Sequence, residues 1–262
     1  MGISKKKGFK EYILEGIMIF LAVSMGFIAD NIREEKSEDN QARIFAASMI
    51  NDLESDTLVL ANYVQYIEYA KGNVDTLLQL MAKYDPGEVS SGKLYWYGLW
   101  GGANFQFIPS DATFQQMKSS GSLRFIRNSE LLEKIVAYDQ LCRRVKLENE
   151  IDRNLYVEIR RIRGRIFEYR YNMQANEVYQ TNKMSFSPQR IDSFIQTNPP
   201  LLTLDKKVFN EYLELVRSRN FGGKLSNAKW LLKNARDLLL ALRETYHIEQ
   251  DEQEGSSLSI PI

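Results

Sequence analysis

One histidine and one cysteine in 262 residues leave little nucleophilic or metal-binding chemistry. A lone Cys142 cannot form an internal disulfide, and its place in a helical apolar stripe reads as a small buried hydrophobe. No His/Cys cluster has the spacing of metal ligands, and His247 stands alone beside an acidic tail. Neither a glycine-rich phosphate loop nor a nucleophile elbow occurs. Charge of one sign is lacking too: 34 basic residues balance 34 acidic ones, which gives no general attraction to nucleic acid. Six prolines (Pro86, Pro109, Pro188, Pro199, Pro200, Pro261) fall where helices would begin or end. Alternating strand pattern is nearly absent. These absences read as an all-α, non-enzymatic chain without cofactor or metal. An enzyme built from Asp, Glu, Arg and Tyr alone has no motif in its favour.

What is present begins with residues 12–32, YILEGIMIFLAVSMGFIADNI, preceded by Lys5, Lys6, Lys7 and Lys10. Residues 16–29 carry no charge; with Tyr12, Ile13, Leu14 and Ile32 the stretch reaches the roughly 20 residues that a membrane-spanning helix needs. A carboxylate at Asp30 can reach the headgroups. Glu15 lies about one turn inside, where it would be protonated, reach toward the interface, or pair with a partner helix. Gly16, Ala22 and Gly26 add small residues that let helices approach closely in lipid, so Glu15, Gly16, Ala22 and Gly26 are the candidate association face. A cleaved signal peptide shares the basic start and apolar core. No small-x-small site follows, however, because Phe27, Ile28 and Asp30 stand where one belongs, and we read an uncleaved anchor. Lys6 breaks the myristoylation pattern.

Orientation follows from the basic residues. Four lysines precede the span, whereas after it Arg33 and Lys36 stand among five acids up to Asp39. The N-terminus is therefore expected in the cytoplasm and the rest outside, which in a double-membraned bacterium is the periplasm. The expected divisions are a basic segment 1–11, a transmembrane helix 12–32, an extracytoplasmic helical domain 33–248 and an acidic, polar, disordered tail 249–262. With so short a segment before the span, no cytoplasmic output domain is expected.

The helical period runs through 33–248. Ala46, Ile50, Leu53, (Thr57), Leu60, Val64, Ile67, (Lys71), Val74, Leu78 and Met81 step by four and three, predicting a long amphipathic helix that continues from the membrane span through a charged stalk. Over 129–173 the series Leu131, Ile135, Tyr138, Cys142, Val145 is followed, after a phase shift, by Ile151, Leu155, Ile159, Ile162, Ile166, Tyr169 and Met173; Gly164 is a weak spot, not a stop. Asn128 or Ser129 is placed to cap this helix. Before it, Gly121 in KSSG ends a short helix in the left-handed conformation. A helix over 206–219, capped by Asp205, leads to a Gly222-Gly223 turn. A last helix then carries Leu225, Ala228, Leu232, Ala235, Leu239, Leu242 and Tyr246, with Ser226 or Asn227 as cap. The architecture expected is a bundle of long antiparallel helices on a membrane anchor.

Two features draw attention as sites. Tyr95, Trp96, Tyr97, Trp100, Phe105 and Phe107 cluster among Gly98, Gly101 and Gly102 in a segment, 93–106, that reads as an aromatic loop or short helix. Such a group lines a ligand pocket or a partner surface, or plugs the end of a bundle, which we favour because aromatics bury large areas. The stretch 143–170 holds nine basic and five acidic residues. Its arginines Arg153, Arg160, Arg163 and Arg170 form a candidate anion-facing stripe, whereas the interspersed acids point to helix-face ion pairs. Nucleic acid is not expected as a partner.

The anchor EGIMIFLAVSMGFIADNIREEK and the stretch TFQQMKSSGSLRFIRNSELLEKI, with Lys118, Ser119, Ser120, Gly121, Ser122, Leu123, Ile126, Arg127, Asn128 and Leu131, together resemble the DUF6090-type family of small membrane proteins of Bacteroidota. Glu15-Gly16 is reversed relative to that family's usual order, and Asp30-Asn31-Ile32 lacks its closing tryptophan. The resemblance implies a bacterial membrane protein of unassigned function and carries no catalytic residue across. Anchor and helices together suggest a scaffold or accessory subunit that binds other envelope proteins or itself. The alternative is an extracytoplasmic ligand sensor that signals through a separate membrane partner.

Overall fold

A computed structural model describes residues 9–181 and 187–248. The tail 249–262 and most of the basic segment 1–11 lie outside those residues, with the expectations placed there. All regular structure among the described residues is helical. Helix α1 spans Phe9–Lys83, 75 residues without interruption and about 110 Å of rise. Its first part is long and apolar enough to cross a membrane. Among the described residues no other element covers that part: Phe20 and Phe27 are 70% and 68% exposed. The charged stretch after it stays helical, as expected. From Ala42 onward the same helix turns amphipathic, and Ala46, Ile50, Leu53, Leu60, Val64, Ile67 and Val74 are all buried.

Segment 93–106 contains a helix rather than a loop, α2 (Ser91–Gly101). An irregular segment, 103–111, leads to α3 (Ala112–Ser120), which ends on Gly121 at φ 72, the left-handed region that glycine enters without a Cβ penalty. One 3-10 turn (Ser122–Phe125) then leads to α4 (Ser129–Ile166). Asn128 caps α4 by accepting the Leu131 N–H at 3.1 Å. After α4 come α5 (Tyr169–Thr181), α6 (Pro188–Thr197), α7 (Lys206–Ser218) and α8 (Phe221–Tyr246). Asp205 caps α7 as expected, accepting from Lys207 N–H at 2.7 Å.

The direction of the long helices departs from expectation. Arg127 reaches Glu35 and Tyr138 reaches Asp56, so α4 runs the same way as α1. Lys229 reaches Glu68 and Arg243 reaches Glu54, so α8 runs against both. The reason is the connection: α2 packs at the end far from the apolar run, and the chain returns through Phe107 and Met117 before α4 begins.

Two hydrophobic clusters lie in series along these helices. The one nearer the apolar run joins Ala42, Ile50, Leu53 and Leu60 of α1 to Leu131, Ile135 and Cys142 of α4 and to Leu231, Ala235 and Leu242 of α8. The far cluster joins Ile67 and Val74 to Ile159, Ile162 and Ile166 and to residues of α2, α5, α6 and α7. Cys142 is buried, and burial pushes its thiol up to about 12, consistent with an inert packing role.

Three sequence expectations need correction here. The stripe on α4 has no phase shift: Ile151 is 55% exposed, and the position seven after Val145 and seven before Ile159 is Asp152, a buried carboxylate. The helix does not run to Met173, because Phe167 is extended (φ −109, ψ 127) and the chain restarts as α5. The last helix begins before the two glycines, at Phe221, with Asn220 accepting from Gly223 N–H at 3.1 Å.

Candidate functional site

Helix α2 interleaves large rings with glycines. Tyr95, Trp96 and Trp100 are buried, as is Phe107 beyond the helix end. Trp100 meets Tyr69 and Tyr179 edge to face, with ring centroids at 4.8 Å in both cases. The glycines let neighbours approach closely. A Cβ on Gly98 would stand 2.8 Å from Phe167 Cζ, and one on Gly101 would stand 2.6 Å from Tyr212 Oη and Val216 Cγ2. Tyr212, fully buried, donates to the Gly98 carbonyl at 2.5 Å, a bond possible only at this close approach. Tyr95 Oη donates to the Pro200 carbonyl at 2.9 Å and accepts from Glu168 N–H at 2.9 Å, which fixes the break after α4. Four of the six cluster aromatics thus form core, while Tyr97 and Phe105 are half-buried.

Where α2 ends and α4 breaks, a cleft of about 710 Å³ opens, within the range of small-molecule sites. One wall is aromatic: Tyr66 of α1, Trp100, and Phe105 just beyond α2. The other is polar, with Arg160 and Arg163 of α4, Asn172 and Asn176 of α5, and Glu168 between those helices, which Arg170 pairs. Arg163 Nη2 donates to Asn172 Oδ1 at 2.7 Å. Its Nη1 lies over Gly102, where a Cβ would approach to 3.1 Å, so the missing side chain makes room for the guanidinium. Arg160 donates to Tyr156 Oη at 3.0 Å. Among the described residues, no carboxylate lies within ion-pair distance of either arginine. Burial, followed by the charge of Arg160, holds the Arg163 guanidinium below its usual value. Two buried donors without a hydrogen-bond partner, Trp100 Nε1 and Arg163 Nε, belong to residues of this cleft.

The expected arginine stripe therefore divides. Arg160 and Arg163 come together with Trp100 and Phe105, whereas Arg170 pairs with Glu168 at 2.9 Å and Arg153 is exposed away from the cleft. Nearby, Arg161 and Arg165 both reach Glu211 of α7, the ion-pair reading of the basic run. Tyr66, Asn172 and Tyr179 were not singled out from sequence. The spacing Tyr63, Tyr66, Tyr69, three tyrosines three apart on one helix, was the available signal. Glu15, Gly16, Ala22 and Gly26 lie on the exposed part of α1, and a Cβ on Gly16 or Gly26 would meet nothing within 4 Å.

A second polar centre holds the far cluster together. Arg219, 1% exposed in its side chain, forms a two-pronged pair with Asp152, and Lys224 reaches the same carboxylate. Arg219 Nη1 also donates to the Gly101 and Ala103 carbonyls, at 2.9 and 2.5 Å, closing the end of α2. Burial alone would raise Asp152, but the Arg219 and Lys224 bonds and charges outweigh it and hold the carboxyl below its ordinary value. Burial and the adjacent Arg219 push the Lys224 ammonium down, since one carboxylate serves two cations. Searches against protein-family models, curated proteins and solved structures return no match to this chain.

Proposed function

We propose that this protein is a non-enzymatic single-pass membrane protein, anchored in a bacterial inner membrane, whose helical domain serves outside the cytoplasm as a scaffold or accessory subunit for another envelope protein. The observation that carries the reading is α1. One uninterrupted helix presents apolar side chains outward over its first part and then supplies a wall of both hydrophobic clusters. Such a helix couples the domain rigidly to the bilayer, with no hinge between anchor and core. The lysines before the apolar run support the orientation, and the uncovered Gly16–Ala22–Gly26 side supports contact with a second membrane helix.

The test is affinity purification of the full-length protein from its native membranes, followed by mass spectrometry. A stoichiometric envelope protein in every preparation is expected. A solitary protein or homo-oligomer in every preparation would overturn the accessory role. That outcome would favour a second reading, an extracytoplasmic sensor, for which the cleft between α2, α4 and α5 is the supporting observation.

A further inference from the structure

We propose that the cleft at the end of α2 binds a small soluble organic anion, its carboxylate or phosphate held by Arg163 and Arg160 and its flat apolar body laid against the half-buried rings of Tyr66 and Phe105. The inference deepens the sensing reading and is independent of the accessory role, since ligand binding and partner capture are read by separate experiments.

Neighbouring Arg161, Arg165 and Arg170 each reach a carboxylate. Arg163 does not: among the described residues its oxygen partner is the neutral amide of Asn172. A half-buried guanidinium carries five N–H donors in a planar fork; here Nη2 bonds Asn172, and the buried Nε–H has no partner among the described residues. A carboxylate or phosphate matches that fork with two parallel bonds. Arg160, one turn earlier and equally without a carboxylate, adds a second positive charge to the same wall.

Shape sets the rest of the ligand. The half-buried rings of Tyr66 and Phe105 line the same cleft, and they suit a flat apolar body more than a sugar or a bare ion. Location decides against a lipid headgroup. At 1.5 Å per residue, Tyr66 stands about 50 Å beyond Ile32 along α1, far from the end of the apolar run. A ligand at this site must come from solution.

The experiment is isothermal titration calorimetry of the full-length protein in detergent micelles, with empty micelles as control. Four probes separate the contributions: phenylacetate, phenyl phosphate, neutral phenylacetamide, and acetate. Saturable binding of phenylacetate or phenyl phosphate is expected, with phenylacetamide and acetate each weaker by about 10-fold or more. The stronger of the two anions identifies the head group, and either order supports the site. Arg163→Gln should weaken binding by about 10-fold or more. Because Arg163 also holds Asn172, the exposed Arg160→Gln is the control variant, expected to keep the wild-type melting temperature while losing affinity. Phe105→Ala should weaken the aromatic probes and leave acetate unchanged. Absence of saturable binding by both aromatic anions would overturn the proposal. So would equal affinity for phenylacetamide, or undiminished binding in Arg160→Gln and Arg163→Gln together.

Discussion

The two hydrophobic clusters share the same three long helices and are built in different ways. Near the apolar run, α1, α4 and α8 meet through aliphatic side chains at steps of three and four, with Asp56 as a buried carboxylate. Farther out, the helices spread to admit α2, α5, α6 and α7, and the contacts become aromatic rings, glycines and buried charge. Aliphatic packing tolerates exchange of one side chain for another of similar volume. A centre fixed by glycine approach and a buried guanidinium has one geometry, and it is this second region that frames the cleft. The near half reads as support and the far half as the shaped part of the molecule.

The largest effect should come from the Asp152–Arg219 pair. Arg219→Met leaves a buried carboxylate with Lys224 alone and orphans the Gly101 and Ala103 carbonyls. Removing one member of such a pair costs about 3–5 kcal/mol, so thermal unfolding of the full-length protein, followed by circular dichroism, should shift strongly downward. Asp152→Asn should do the same. In the near cluster, Leu53→Met, which conserves volume, should cost less than about 1.5 kcal/mol. If Arg219→Met were as mild as Leu53→Met, the contrast between the halves would be lost. The double change Asp152→Leu with Arg219→Met should recover only part of the loss, since the two carbonyls stay without a donor.

Next in size are the glycines. A Cβ on Gly92 would overlap the Ile195 carbonyl, a backbone group that cannot swing aside, and one on Gly101 would press on Tyr212 and Val216. Gly92→Ala and Gly101→Ala should each cost about 1–3 kcal/mol, Gly92→Ala the more. Gly72, in the interior of α1, meets nothing within 4 Å. Gly72→Ala should stabilise by about 0.5–1 kcal/mol through helix propensity alone. Melting temperatures of the three variants should therefore move in opposite directions.

A smaller contrast lies in pH. Asp152 is held below the ordinary 3.8, so its contribution to stability is present above that value and is lost as pH falls through the folded-state value. Asp56 behaves oppositely: burial raises its carboxyl, although Ser110 N–H and Tyr138 Oη donate to it. Between 3.8 and the raised value the folded chain binds more protons than the unfolded one, so stability falls as pH rises through that window. In acid unfolding profiles, Asp56→Asn should remove the fall and Asp152→Asn should remove the rise. Identical profiles for the two variants would contradict the assignment.

How legible these features were follows the same division. The near cluster was readable because its stripe is apolar: Ile50, Leu53, Leu131, Ile135 and Cys142 are buried as their spacing requires. The far cluster was misread at the positions where polar residues take core places. Asp152 interrupted the stripe and looked like a phase shift, because burial of a carboxylate depends on Arg219, 67 residues away. On α8 the misreading reaches the near cluster too: Leu232 and Leu239, expected to centre its face, are only half-buried, and Leu231 and Leu238 lie deeper. The parallel course of α1 and α4 depends on the long return through α2 and α3, which no periodicity encodes. Of the candidate site, Arg160, Arg163, Trp100 and Phe105 were named from composition. Which arginines would lack a carboxylate depends on where α4 breaks, and Tyr95 sets that break through Pro200 and Glu168.

The smallest effect is expected where the near cluster meets the end of the apolar run. Arg127 reaches Glu35 at 2.6 Å and lies 3.5 Å from Asp39 and 3.9 Å from Glu38. Three acids around one arginine look like a clamp between α1 and the start of α4, and their charges raise the guanidinium, the Glu35 bond first among them. All four side chains are nevertheless substantially exposed, where water and salt screen the attraction and side-chain entropy opposes it. Arg127→Gln should leave the melting temperature unchanged at physiological salt and lower it only slightly at low salt. A drop comparable to that of Arg219→Met would mean that the bilayer proposed around the apolar run covers and desolvates this exposed cluster. Repeating the melt in detergent and in lipid nanodiscs separates the two cases, because only a lipid-covered clamp loses its effect when the bilayer is removed.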